Sequence, residues 1–121
     1  STIAAALADA RVAAAEAFGE DLSELPLWGA FVRRYAPGDR ASLAPHTDRC
    51  CLTVNVLLSD PSDFDGGGCY LMNRDAGALH CPQLSRGDAL LHMGDAEHGE
   101  HAVTAGERYV LGLHLGHDAL R

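Results

Sequence analysis

From residue 27 onward the chain is a series of short apolar runs cut by turn residues at regular intervals, a pattern that suits a layered or closed β structure and little else. Eight strands are predicted, at 31–35, 43–48, 51–58, 69–72, 78–84, 89–93, 98–104 and 108–115. Pro37-Gly38-Asp39 ends the first, and Ser85-Arg86-Gly87-Asp88 makes a tight turn before the sixth. Pro82 interrupts 78–84 and places that strand at a sheet edge. Residues 59–68, with Gly66-Gly67-Gly68 at their end, read as a loop, and Ala105-Gly106-Glu107 as a hairpin turn.

One helix precedes the strands. Residues 2–18 are rich in alanine, and Ile3, Leu7, Ala10, Ala14 and Phe18 recur at helical spacing as one apolar stripe. Ser1 or Thr2 can cap its start, and Gly19 is a natural stop. Such a stripe packs on a sheet, and Trp28 is expected to join that packing. The prediction is a mainly β sandwich or jelly roll with one N-terminal helix outside it. The 121 residues suit one domain, with 1–26 as helix and connector and 27–115 as jelly-roll core.

The composition narrows the partners. The net charge is −8, and all nine basic residues are arginine. An acidic chain without basic runs is a poor binder of nucleic acid or an anionic membrane, and no apolar stretch is long enough to span a bilayer. The four cysteines, Cys50, Cys51, Cys69 and Cys81, lack zinc-type spacing and read as small strand hydrophobes rather than a disulfide framework. The sequence assigns no compartment.

Pro45-His46-Thr47-Asp48 carries the chemistry. Alternate side chains of a strand share a face, so His46 and Asp48 point into one pocket. An imidazole and a carboxylate there are two-thirds of a facial triad for non-haem Fe(II), which leaves positions open for a co-substrate and dioxygen. The chain has seven histidines, and either His98 or His101 is able to close the triad. Arg108 opens an apolar strand. A buried arginine needs an anion, and its planar fork pairs with a carboxylate through two bonds, so Arg108 either sits at the rim or holds an anion.

Several longer motifs stand in order around these residues. The run Phe31-Val-Arg-Arg-Tyr35-Ala-Pro-Gly-Asp-Arg-Ala-Ser-Leu-Ala-Pro-His46-Thr-Asp48, continued by Leu52-Thr-Val-Asn-Val56, resembles the opening of the catalytic domain of the 2-oxoglutarate/Fe(II) dioxygenases of the prolyl and lysyl hydroxylase group. Asp63-Phe-Asp-Gly-Gly-Gly-Cys69 is similar to that group's glycine-rich loop, particularly in procollagen lysyl hydroxylases. His98-Gly-Glu-His-Ala-Val-Thr-Ala-Gly106-Glu-Arg108-Tyr-Val-Leu resembles its closing motif, where a basic residue that binds the co-substrate follows the distal histidine by ten residues. The resemblance covers roughly residues 31–115.

The resemblance implies a double-stranded β-helix, the cupin-like form of the jelly roll. It implies Fe(II) on His46, Asp48 and His98, with Arg108 on the distal carboxylate of 2-oxoglutarate. The interval to Arg108 selects His98 over His101. Relatives usually have an apolar residue and then proline where this chain has His101-Ala102, so His101 is read as an exposed histidine, with a role beside the substrate as the alternative. Tyr35 stands where relatives often have a tyrosine that touches the co-substrate. The implied reaction hydroxylates a C–H bond of a peptidyl lysine or proline, or a related amino acid, using 2-oxoglutarate and dioxygen and releasing succinate and CO2; ascorbate is implied as reductant.

Strand parity fills in the pocket. Thr53 and Asn55 share the face toward the cavity, with Asn55 a candidate to bond 2-oxoglutarate, while Leu52, Val54 and Val56 face the helix or a second sheet. Arg108, Val110, Gly112 and His114 share a face, which makes His114 either a pocket residue or a satisfied core histidine. Tyr70 is a further candidate for the cavity wall. Residues 59–65 are expected to form a mobile lid over glycines that allow close backbone approach. His80, His92 and His117 receive no role. Two rival readings remain. A catalytically silent jelly-roll module would bind metal without turnover, and a structural β-sandwich would bind neither metal nor co-substrate.

Overall fold

The computed structural model describes residues 2–117. The expected cap side chains of Ser1 and Thr2, and 118–121 of the tail, lie outside the described residues. A long helix, α1 (Thr2–Phe18), and a single turn, α2 (Glu20–Ser23), precede ten strands: β1 (Leu27–Tyr35), β2 (Leu43–His46), β3 (Cys50–Leu57), β4 (Phe64–Gly66), β5 (Cys69–Asn73), β6 (Gly77–His80), β7 (Ala89–Met93), β8 (His98–Glu100), β9 (Val103–Gly106) and β10 (Arg108–His117). Two four-stranded sheets, in the orders β1-β10-β3-β7 and β2-β8-β5-β6, form the jelly roll, with β4-β9 as a separate pair.

The helix lies on the outer face of the first sheet. Ala10 and Ala14 pack against Leu52, Val54 and Val56 of β3 and Leu111, Leu113 and Leu115 of β10, the face that strand parity marks as apolar. Alanine lets the helix approach closely, and each buried Val or Leu contributes about 1.5–3 kcal/mol. Ile3 and Phe18, the ends of the predicted stripe, stay exposed, so the middle turns make the contact. Arg11 ties the connector to the helix by donating to the carbonyls of Ser23 and Leu25 at 2.6 and 2.8 Å. No helix among the described residues is long and apolar enough to cross a membrane.

Several expectations change in register. The first strand starts four residues early, at Leu27, because β10 runs on to His117 and Leu27 pairs with Leu115. Trp28 does not join helix to sheet. It lies on the edge strand, half exposed, with its ring edge-on to His117 at 4.5 Å. The strand expected at 78–84 stops at His80, two residues short of Pro82. None of the four cysteines forms a disulfide.

The strand expected at 98–104 is broken in two. The His101 N–H donates to the Gly68 carbonyl and the Ala102 carbonyl accepts from Gly67, so contact is kept in register, but regular pairing lapses opposite the left-handed backbone of Gly66, Gly67 and Gly68. β8 therefore belongs to the second sheet, β9 pairs with β4, and β10 lies in the first sheet. The turn at Gly106 carries the chain between layers instead of closing a hairpin ladder.

The expected lid, 59–65, is tied down. Asp60 accepts from the N–H of Ser62 at 2.9 Å and caps a short 3-10 turn, Pro61–Asp63. Phe64 and Asp65 pair with Gly106 and Ala105, and the Ser59 hydroxyl accepts from the Tyr109 N–H.

Candidate metal centre

His46 and His98 are cross-strand partners at the end of the β2–β8 ladder, with ring centroids 4.3 Å apart. β2 stops at His46, so Asp48 reaches the site from the connector to β3 and not from a continuing strand. The Asp48 N–H donates to the Gly94 carbonyl at 2.8 Å, and the Gly94 N–H donates to the Cys51 carbonyl at 2.9 Å. A Cβ on Gly94 would collide with the Cys50 carbonyl oxygen, so glycine is needed for these segments to close.

Three donor groups converge. His46 Nε2 lies 3.3 Å from Asp48 Oδ1, and His98 Nε2 lies 3.2 Å from Oδ2. Each imidazole is held from behind: Nδ1 of His46 is 2.8 Å from the Ala44 carbonyl, and Nδ1 of His98 is 2.7 Å from that of Ala96. A carbonyl only accepts, so both Nδ1 atoms carry protons, and each Nε2 faces the carboxylate across a place for a proton or a metal ion. Lone pairs facing a carboxylate repel unless a proton or a metal ion stands between them. The donor set therefore fits a divalent cation, with backbone acceptors fixing the tautomers as they do around bound metals.

The electrostatics agree. Burial pushes the Asp48 carboxyl up, but bonds from His98 and Thr53 override it and hold the group well below the usual carboxylate range. The Thr53 hydroxyl donates to Asp48 Oδ2 at 2.6 Å. Burial pushes His98 down, and its bond to Asp48 reverses the shift and raises it. His114 stands 3.8 Å from Asp48 Oδ2, and burial lowers it. Asp48, Cys50 and His114 form a second grouping able to hold an ion, built on the same carboxylate.

A cavity of ≈ 190 Å³ opens beside these ligands, with Tyr35, Asn55, His114 and Arg33 on its wall. A larger one, ≈ 380 Å³, lies beyond Asn55 and Glu100, which line both. Arg108 lines the larger cavity. It is buried, and its Nη1 donates to Glu100 Oε2 at 3.1 Å, with the two side chains 7 % and 6 % exposed. The guanidinium lies 5.5 Å from the Tyr35 ring, its register partner on β1. Burial pushes the Tyr35 hydroxyl up to about 12. Gly67 faces Arg108, where a Cβ would sit 3.1 Å from Cδ.

His101 does not reach the metal ligands. Its Nε2 is 2.7 Å from Nδ1 of His80, its ring lies 4.6 Å from that of Tyr70, and it lines the larger cavity instead of standing exposed. Tyr70 packs across Gly99 and forms no part of either cavity wall.

The comparisons with known proteins point the same way. No protein-family profile matches the chain. The mouse procollagen-lysine,2-oxoglutarate 5-dioxygenase 1 is 38% identical over 84 residues, 67% of this chain. A prolyl-4-hydroxylase from Pseudomonas putida shares the fold, with a TM-score of 0.65 at 20% identity over 91% of this chain and 63% of its own. An oxidoreductase of the 2OG-Fe(II) oxygenase family from Burkholderia pseudomallei has a TM-score of 0.63 at 17% identity, covering 78% of this chain and 48% of its own. Over those 84 residues the chain is related in sequence to a procollagen lysyl hydroxylase, and it shares the fold of these two solved structures. It spans 11% of the length of the mouse hydroxylase.

Within this fold, sequence reasoning missed the part that four residues play in shaping the site. Thr53 was placed on the cavity face without its bond to Asp48. Glu100 shares a strand and a parity with His98, and that signal was available. His92 is the register partner of Thr53 and lies against the His98 ring at 4.2 Å. Gly94 has no signal short of the three-dimensional contact it allows.

Proposed function

We propose that the chain holds Fe(II) on His46, Asp48 and His98 and uses 2-oxoglutarate and dioxygen to hydroxylate a C–H bond, releasing succinate and CO2. The observation that carries this reading is the pair of imidazoles, each held at Nδ1 by a backbone carbonyl, whose Nε2 atoms meet one carboxylate. Iron held there would supply dioxygen activation.

The chain's own residues bind and orient. Thr53 and the Gly94 carbonyl hold Asp48, and Ala44 and Ala96 hold the two rings. Arg108 is the cation for the distal carboxylate of 2-oxoglutarate, at the side of the cavity away from the ligands. Tyr35 and Asn55 line the path between them and supply polar contacts. The larger cavity receives the substrate, which we assign to a peptidyl lysine or proline or a related amino acid. The net charge of −8 and Asp65 on the cavity wall favour a cationic side chain. Ascorbate serves as the reductant that keeps iron in the divalent state.

One observation favours a second reading, a catalytically silent metal-binding module: Arg108 already has a carboxylate partner in Glu100. Incubation of lysine- and proline-containing peptides with the protein, Fe(II), 2-oxoglutarate and ascorbate decides between them by mass spectrometry. Gain of one oxygen atom on a peptide is the expected result. Fe(II) binding with neither peptide oxidation nor succinate would favour the silent module.

A further inference from the structure

Arg108 and Glu100 form a buried pair at the junction of the two cavities, and this pair bears on how the co-substrate binds. The inference rests on the function proposed above. Glu100 Oε2 accepts from Arg108 Nη1 at 3.1 Å, and neither side chain is more than 7 % exposed. Glu100 lines both cavities, whereas Arg108 lines only the one away from the metal ligands. A dicarboxylate with one end among His46, Asp48 and His98 and the other on Arg108 must therefore pass Glu100 and compete with it for the same guanidinium.

We propose that Glu100 is a built-in competitor for the co-substrate: it occupies the carboxylate place on Arg108, and 2-oxoglutarate binds only by displacing it. Two features of the fold make this a working arrangement. Glu100 has a second cation within reach of its charge, because Arg33 lines the same smaller cavity and acts on it electrostatically. Gly67 packs its backbone closely against the Arg108 stem, since a Cβ there would press on Cδ at 3.1 Å, and this holds the arginine in position. The guanidinium can thus keep one anion or exchange it for another without losing its own place. In the ligand-free protein the pair avoids the large penalty of a lone buried charge. In the bound state the co-substrate carboxylate meets that need and Glu100 turns to Arg33. Glu100 consequently lowers the affinity for any oxo acid that needs Arg108, and leaves untouched one that does not.

The test is anaerobic calorimetric titration of the Fe(II)-loaded protein with 2-oxoglutarate and with 2-oxobutyrate, a 2-oxo acid without a distal carboxylate. Glu100→Gln keeps the shape and removes the competing charge. It should bind 2-oxoglutarate at least about tenfold more tightly than wild type, with 2-oxobutyrate changed by less than about twofold, because like charges compete only at Arg108. If Glu100→Gln fails to fold, Glu100→Asp, whose carboxylate stops short of Arg108, carries the same prediction. Thermal shift gives a second readout: the variant should be less stable than wild type alone and gain more from 2-oxoglutarate. Wild type that binds 2-oxoglutarate no less tightly than the variant would overturn the competitor role and leave the proposed function standing. If neither protein binds either oxo acid, the proposed function fails and the competitor role with it.

Discussion

Thr53 decides how Asp48 meets a metal, since its hydroxyl fixes one carboxylate oxygen at 2.6 Å from a position that is itself buried. Thr53→Val keeps the shape and removes that bond. Partners behind a ligand typically carry a factor of ten to a hundred, so Fe(II) affinity should fall by roughly tenfold or more while the fold persists. A competition titration with a metal-binding dye measures it, and unchanged affinity would mean that Asp48 is placed by its backbone alone. His92 acts differently. Its Nδ1 donates to the Met93 carbonyl, its Nε2 is buried with no partner among the described residues, and burial lowers its pKa. A lowered histidine contributes stability that is present above its unfolded value, near 6.5, and is lost as pH falls through the folded value. The raised His98 has the opposite sign: its contribution is present below 6.5 and lost as pH rises. The metal-free protein should therefore lose less melting temperature between neutral and mildly acidic pH in His92→Phe than in wild type. Parallel pH profiles would show that His92 does not stay neutral in the folded state.

At the scale of elements, β3 and β10 do two jobs with alternate residues. One face buries Leu52, Val54, Leu113 and Leu115 under the helix, and the other presents Thr53, Asn55 and His114 to the cavity. Leu113→Ala should cost about 2–5 kcal/mol in denaturant unfolding, because Leu113 is fully buried and the sheet cannot collapse around the loss. A cost below about 1 kcal/mol would mean that the helix is only loosely docked. This two-faced pattern was legible in the sequence because a strand repeats every two residues, and α1 was legible because alanine and stripe spacing agree. The crossing at His101 and Ala102 was not legible. It lies opposite the left-handed backbone of Gly66, Gly67 and Gly68, more than thirty residues earlier, and local periodicity carries no trace of such a contact. Asp48 shows the same limit in small. Two-residue spacing suggested a common strand face, yet the side chain arrives by way of Gly94 in a distant turn. Gly94→Ala should displace that turn and weaken Fe(II) binding more than Thr53→Val does, by the same titration.

For the whole molecule, the two sheets bring residues from opposite ends of the chain to two adjoining cavities that share Asn55 and Glu100. His46 and Asp48 come from the first half, while His98 and Arg108 come from the second and reach the site from different sheets. The order of motifs in the sequence carried the resemblance to the hydroxylase group and pointed to His98 among seven histidines. It was not enough to show Glu100 inside the arginine pocket, because a single glutamate between two histidines carries no label of burial. The account as a whole turns on whether this constellation consumes 2-oxoglutarate through His98. The direct measurement is succinate formed from 2-oxoglutarate with Fe(II) and ascorbate, in wild type, His98→Ala and His101→Ala. The account predicts succinate in wild type and in His101→Ala, and its loss in His98→Ala. Succinate that survives in His98→Ala and disappears in His101→Ala would contradict it.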